Sequence, residues 1–483
     1  MAEPTRGALA RWLTLRLLGA LGLIAFVSLA WQADGLIGPE GLLPYQPWLD
    51  RVAEGLGGQA IWRLPTLAWW VPVEGLLGLG ALASAAVMVG VPVEGPLLLV
   101  AWACYLSVSL VGQRFLSFQW DTLLLEALFT AALYARWHPR GAREPPRVAT
   151  WLMRLLLVKL MWLSGAVKLA SGDPTWWDGS AMAYHYETQP LPNPVSWYAH
   201  HLPAAFHQLE TWATLAIELV LPLLVFAGRP GRFVAFGGFV AVLCLLLLTG
   251  NYGFFQWLTL ALCVPLLGDD VWRRVLPARL VALTEGRGRP ASEGYRSVRR
   301  GVHLLIAVPI VALGVVLGAQ RLGAPALPEP LQDRVEATRA WRTINSYGLF
   351  ATMTRARPMV WIEVSDDGQR WARWPYRFQP TAPDERPPVV PLHMPRLDWQ
   401  LWFAALGSCR SDPWVGTLLQ RLLDQEPSVV ALMGPPPLPA PRYARARVAM
   451  LRFTEPGDEG WWVHRQPGAY CPTRQLPPAS GRR

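Results

Sequence analysis

Charge is scarce in this sequence. Asp, Glu, Lys and Arg make up 16% of its 483 residues, against roughly a quarter in soluble domains. Lysine is nearly absent: of 44 basic residues only Lys159 and Lys168 are lysines, and both fall in one apolar segment. The five cysteines are too few for a disulfide scaffold and show no CxxC spacing, which excludes zinc-ribbon and thioredoxin-like readings. Also missing are GxSxG, HExxH, a Walker loop and a dinucleotide glycine pattern. Of the eight histidines only His200, His201 and His207 cluster, and that spacing is no standard metal set. Neither a cofactor nor a metal is expected.

Apolar surface is what the sequence has. It is 52% hydrophobic with 26 Trp, and its apolar residues come in blocks, several approaching the roughly 20 residues that cross a bilayer. Nine spans are predicted, at 13–31, 70–89, 97–111, 121–135, 148–169, 209–227, 233–250, 253–267 and 301–319. With the N-terminus in the cytoplasm, sixteen arginines fall in inner segments: Arg6, Arg11, Arg136, Arg140, Arg143, Arg147, Arg229, Arg232 and eight from Arg273 to Arg300. Only Arg51, Arg63 and Arg114 fall in the loops between spans assigned outside, the asymmetry of the positive-inside rule. The net charge of +10 is therefore topological, and no nucleic-acid partner is expected. Ser28 and Ala30 have the spacing of a signal-peptidase site, but the preceding apolar run of about 19 residues is longer than a signal h-region.

This orientation leaves everything after about residue 320 outside, in a lumen or periplasm, where the pattern changes. Met359–Ser365 and Arg370–Phe378 alternate like strands around Asp367 and Gly368, and Tyr443–Thr454 and Trp461–His464 repeat the scheme. Asp398–Leu406 and Pro413–Leu423 read as helices, with Asp398 or Asp412 as a cap, and Pro387–Pro395 as an extended connector. The expected fold is a polytopic α-helical membrane domain of about nine spans over residues 1–319. A small α+β soluble domain with antiparallel hairpins follows over residues 320–483. Cys409 and Cys471, the only cysteines of this outer domain, lie where an oxidising compartment permits a disulfide, although spacing leaves open whether their backbones approach.

The outer loops are dense in Trp, Tyr, Asn and Asp, unlike the plain Arg-rich inner loops, so recognition is expected outside. Asp121, Glu126, Lys168, Trp176, Trp177 and Asn251 are the outer-face candidates, against the plain reading of an aromatic belt at the headgroups. Counting depth at about 1.5 Å per residue sets Lys168 level with Asp121 or Glu126. The same count sets Lys159, about 13 Å deeper, level with Glu218. Lys159 and Glu218 are thus the expected buried pair, either locking helix register or marking a site.

The stretch Asn345–Phe350 (NSYGLF), with Ile362–Gly368 (IEVSDDG) and Pro395–Leu406 (PRLDWQLWFAAL), resembles the lipase maturation factor family. The first half fits through GLIGPEGLLP, RFLSFQWDTLLLE, SGAVKLASGDPTWW, YHYETQPLPNP and NYGFF, so the resemblance covers nearly the whole chain. It implies a multi-pass membrane protein, in eukaryotes of the endoplasmic reticulum, whose outer domain helps secreted lipases or other hydrolases reach their active form. Richness in Ala, Arg, Gly and Pro has the bias of a high-GC bacterial genome, which points to a bacterial-type member in an inner membrane. The family motifs mark Asn345, Tyr347, Gly348, Asp366, Asp367, Gly368, His393, Arg396, Asp398, Trp399 and Trp402 as client-binding candidates. A binding platform predicts exposed aromatics at Trp399, Trp402 and Phe403, or at Trp361, Trp371 and Trp374, against the favoured plain reading that each packs into the small domain's own core. More weakly, the Lys168 neighbourhood is similar to vitamin K-dependent carboxylase. That opens the alternative of an intramembrane enzyme with a lipid-soluble cofactor and Lys168 as a desolvated base.

Overall fold

The computed structural model describes residues 7–138, 144–284, 293–465 and 467–477; Arg6, Arg140, Arg143, Arg287 and Arg289 of the expected inner set lie outside them. Among the described residues of the N-terminal region, the main helices that overlap the expected spans, one to each, are α1 (Ala8–Ile37), α2 (Val73–Val89), α3 (Glu94–Val111), α4 (Gln119–Tyr134), α5 (Arg147–Ala170), α6 (Ala204–Leu219), α7 (Gly228–Thr249), α8 (Phe255–Cys263) and α9 (Glu293–Arg321). By length and composition, however, only α1, α3, α7 and Ser297–Arg321 of α9 are long and apolar enough to cross a bilayer, so these criteria give four crossings among the described residues, not nine. Two reasons are visible. Helix α4 is only 16 residues long and carries Asp121 and Glu126, while the helix begun by α6 breaks before Leu221–Leu224, where Pro222 has no N–H to donate.

The chain ends of these helices sort into two groups. At one end Glu94 takes both Arg16 (2.8 Å) and Arg136 (2.5 Å), and the Ala10 N–H donates to Asp269 (3.0 Å). At the other lie the aromatic loops 35–70, 112–118, 171–203 and 250–254, and on them sits the C-terminal region.

Among the described residues that region holds a five-stranded antiparallel sheet, a leading helix Glu329–Arg339, two helices between the strands and a short one at Pro427–Val430. Strands β1 (Arg357–Ser365) and β3 (Tyr443–Phe453) pair along most of their length, β2 (Ala372–Arg373) edges β1, and β4 (Trp462–His464) and β5 (Gly468–Gln475) lie end to end along the other side of β3. The second expected hairpin is β3–β4. The first is much shorter than Arg370–Phe378: after Trp374 donates to Ile362 O, Pro375 cannot extend the ladder. Strand β5 is not among the expected elements. It is an edge strand, mostly exposed and interrupted by Pro472, so it carries no alternating pattern. Helices α10 (Arg396–Ala405) and α11 (Trp414–Leu423) fall close to their expected places. Neither Asp398 nor Asp412 caps them: Pro395 and Pro413 occupy those positions. Cys409 and Cys471 are joined by a disulfide that ties the end of α10 to β5.

Candidate functional site

A buried polar seam joins the helices to the C-terminal region, and family-motif residues build much of it. Arg396, at the start of α10, is buried against Asp121 at the start of α4. Its Nη2 donates to Asp121 Oδ1 (2.7 Å) and its Nη1 to Oδ2 (3.0 Å), a two-pronged pair. The Tyr105 hydroxyl adds a 2.6 Å bond to Asp121 Oδ1, and Arg396 Nη1 also reaches the Phe115 carbonyl (2.7 Å). Charge so deeply buried persists only when it is paired and hydrogen-bonded; both terminal nitrogens of Arg396 are, while its Nε is left without a partner.

Glu126, further along α4, is a second hub. It accepts from Lys159 Nζ, from the Asn345 backbone N–H (3.0 Å) and side-chain amide (3.2 Å), and from the Tyr347 hydroxyl (2.7 Å). Next along the chain Gly348 exchanges two 3.1 Å bonds with the Gln119 amide. A Cβ at Gly348 would stand 2.9 Å from Arg321 Nε and 3.0 Å from the Val167 side chain, so glycine lets this strap lie close between α5 and α9 without displacing them.

The third hub corrects the expected pairing. Lys159 does not meet Glu218, and Lys168 meets neither Asp121 nor Glu126. Lys168 Nζ donates to both Glu218 oxygens (3.0 and 2.7 Å) and lies 5.1 Å from the centre of the Trp176 ring. Depth counting assumes parallel axes. Helix α6 instead crosses α5 at Gly165, where an added Cβ would be 2.9 Å from the Glu218 side chain. That crossing brings the carboxylate beside Lys168, one turn away, and leaves Lys159 to Glu126. Arg154, on the same helix, donates to the Pro265 carbonyl (2.8 Å).

The connector before α10 is fastened by residues of the helical region. Met394 donates its backbone N–H to Ser28 Oγ (3.1 Å), which also meets His393 Nδ1 (2.9 Å). Gln32 takes the Arg396 N–H (2.8 Å) and donates to Met394 O (2.9 Å). Asn251 receives the Val390 N–H (2.7 Å) and donates to Pro388 O (2.8 Å). Burial pushes the His393 imidazole down to about 4. Sequence reasoning gives no seam role to Ser28, Gln32, Tyr105 or Gln119. The one available signal is a polar side chain, Gln32, at the edge of a long apolar run.

Most of the named aromatics follow the core-packing reading and not the exposed one. Trp361, Trp374, Trp399 and Trp402 are buried: Trp399 packs edge-on to Trp120 (4.6 Å) and Trp402 donates to Thr188 O (2.9 Å). Trp371 is half-buried and Phe403, 43% exposed, is the open one. Trp176 is buried, donating to Phe350 O (3.1 Å), while Trp177 is exposed. Asp367 closes the β1–β2 turn, its Oδ1 accepting from Gln369 N and Arg370 N (2.8 Å each), which holds its carboxyl below the usual range. Gly368 takes the left-handed φ of 74° there and Asp366 is exposed. Asp398 Oδ1 accepts from Phe378 N (3.2 Å), and burial raises its carboxyl to about 7. Among the described residues no group of His, Cys, Asp and Glu could hold a metal ion.

Residues 9–274 match the family model of the lipase maturation factor transmembrane domain, and residues 343–472 that of the lipase maturation factor C-terminal domain. The chain belongs to the lipase maturation factor family. It is 34% identical to human lipase maturation factor 2, over 95% of this chain and 81% of that protein. It is 31% identical to cattle lipase maturation factor 1, over 95% and 89%, and 30% identical to the human form, over 96% and 88%. These vertebrate relatives lend no support to the bacterial source expected from composition. No solved structure matches. The seam thus joins the two matched segments of a lipase maturation factor family member: Asp121, Glu126 and Lys159 lie in the first, Asn345, Tyr347 and Arg396 in the second.

Proposed function

We propose that this protein is a membrane-anchored maturation factor for secreted lipases or related hydrolases, binding its client on the lumenal or periplasmic side. In this reading residues 1–319 form the multi-pass membrane domain in an endoplasmic reticulum or inner membrane, the arginine-rich ends face the cytoplasm, and residues 320–483 form the outer domain. The observation that carries it is the seam itself: the ion pairs Arg396–Asp121, Arg114–Asp412 and Arg355–Asp173, with the NSYGLF strap bonded to Glu126 and Gln119, join the helical region and its outer loops to the C-terminal region as one body, at the end away from the Arg16–Glu94–Arg136 cluster. Such a body is a rigid platform held at a membrane face. Since Trp399, Trp402 and Arg396 are committed to the seam, the client surface falls to exposed apolar side chains of that face, such as Trp177, Tyr198, Val389, Leu392 and Phe403.

The enzyme alternative gains no support from Lys168, which is 3% exposed, doubly bonded to Glu218 and covered by Trp176. A base needs access to the proton it removes.

Deleting the gene and comparing secretomes tests the proposal. Loss of active secreted hydrolases at unchanged transcript levels is expected. Normal secretion with an altered lipid or quinone profile would overturn it. A reporter fused after residue 483 is expected to be active only outside the cytosol.

A further inference from the structure

A cavity of about 500 Å³ opens where the start of α4, the end of α9 and the segment 339–346 meet, within the roughly 300–1,000 Å³ usual for small-ligand sites. Arg321, Arg339 and Arg342 line it, and no Asp or Glu does. Arg339 pairs with the exposed Glu336 (3.1 Å), but neither Arg321 nor Arg342 has a carboxylate at ion-pair distance among the described residues. Arg342 is the telling one. It is half-buried, its Nη1 held by Ser109 Oγ (2.7 Å) and the Leu116 carbonyl (3.2 Å). Its backbone takes a left-handed φ of 48°, which a side chain other than glycine adopts only at some cost. Asp121 lies near enough to act on it electrostatically, but the Asp121 oxygens are taken by Arg396 and Tyr105. An arginine at a helix end commonly does no more than offset the helix dipole, and Arg321 in the last turn of α9 does that. That reason does not reach Arg342, which lies outside the helix.

We propose that this cavity binds a phosphate-bearing anion, with Arg321, Arg339 and Arg342 as its cationic ligands. Guanidinium groups match phosphate oxygens in a two-pronged geometry, and a concave wall of one sign concentrates the opposite ion. Two sources supply that chemistry, an anionic lipid headgroup and a soluble phosphate ester. The first rests on the membrane reading above and is favoured by α9, whose Val311 and Val315 are exposed on the helix that ends at the cavity.

The test uses the full chain purified in detergent, with native mass spectrometry to count bound molecules. The probes are phosphatidylglycerol, phosphatidylcholine and glycerol phosphate. Arg321→Gln with Arg339→Gln, both at exposed positions, is expected to weaken binding at least tenfold. Arg334→Gln, also exposed but outside the cavity, is expected to leave it unchanged. Phosphatidylglycerol binding with this arginine dependence assigns the lipid source, and glycerol phosphate binding with it assigns the soluble one. Binding of either probe unaffected by the double variant, equal retention of phosphatidylcholine, or binding of neither probe overturns the site, whatever the secretome experiment returns.

Discussion

Arg396 closes on Asp121 from 275 positions away in the chain, with both of its terminal nitrogens on the two carboxylate oxygens. One residue opens α10 of the C-terminal region, the other lies in the first turn of α4, and both are almost wholly buried. The pair therefore reports whether the two regions of the chain are docked. Arg396→Ala leaves Asp121 buried without its cation, which is expected to cost about 3–5 kcal/mol. Asp121→Asn with Arg396→Gln, which removes both charges, is expected to cost much less than the sum of the single changes. Thermal unfolding in detergent measures both, and additive losses would show that the two residues are not coupled.

The corrected pairing around α5 makes a separable prediction. In double-mutant cycles, Lys159→Met with Glu126→Gln and Lys168→Met with Glu218→Gln are each expected to show coupling of about 1–3 kcal/mol. Lys159→Met with Glu218→Gln is expected to be additive within about 0.5 kcal/mol. Limited proteolysis supplies a second readout: Glu126→Gln is expected to expose segment 343–350, because Asn345 and Tyr347 lose their charged acceptor.

What is legible of this fold in the sequence rests on periodicity. All nine apolar blocks are helical, and β1, β3, β4, α10 and α11 lie close to where alternation and helical spacing put them. The partner of each buried ion is not legible. Lys159, Lys168, Glu126 and Glu218 stand out as groups that must be paired, but which meets which depends on the α5–α6 crossing at Gly165, a three-dimensional fact with no one-dimensional period. The same limit applies to Trp399 and Trp402. Their side chains are apolar whether they face a client or, as here, Trp120 and the 181–188 helix.

The disulfide gives a prediction about the outer domain alone. Cys409–Cys471 closes 62 residues of separation and anchors β5, the mostly exposed edge strand, to the turn after α10. Chain-entropy arguments assign a loop of this size about 4 kcal/mol. Cys471→Ser is therefore expected to lower thermal stability and to speed proteolysis within 468–477, leaving the Arg396–Asp121 seam intact. If reducing and non-reducing gels of the wild-type chain showed the same mobility, the basis of this expectation would be gone.

Asp398 supplies a pH dependence of defined sign. Its carboxyl is raised by burial to about 7, against 3.8 for the free group, with the Phe378 N–H bond acting the other way. Between about pH 4 and pH 7 the folded chain holds this proton while the unfolded chain has lost it, so stability falls as pH rises through that window and levels off above it. A shift of this size corresponds to a few kcal/mol, on the order of 4. Asp398→Asn keeps an oxygen for the Phe378 N–H and cannot ionise. It is expected to flatten the fall between pH 4 and pH 7 and to leave the variant more stable than the wild-type chain at pH 8. Melting curves across that range decide the matter: an unchanged slope in the variant would mean that Asp398 keeps its charge in the folded chain.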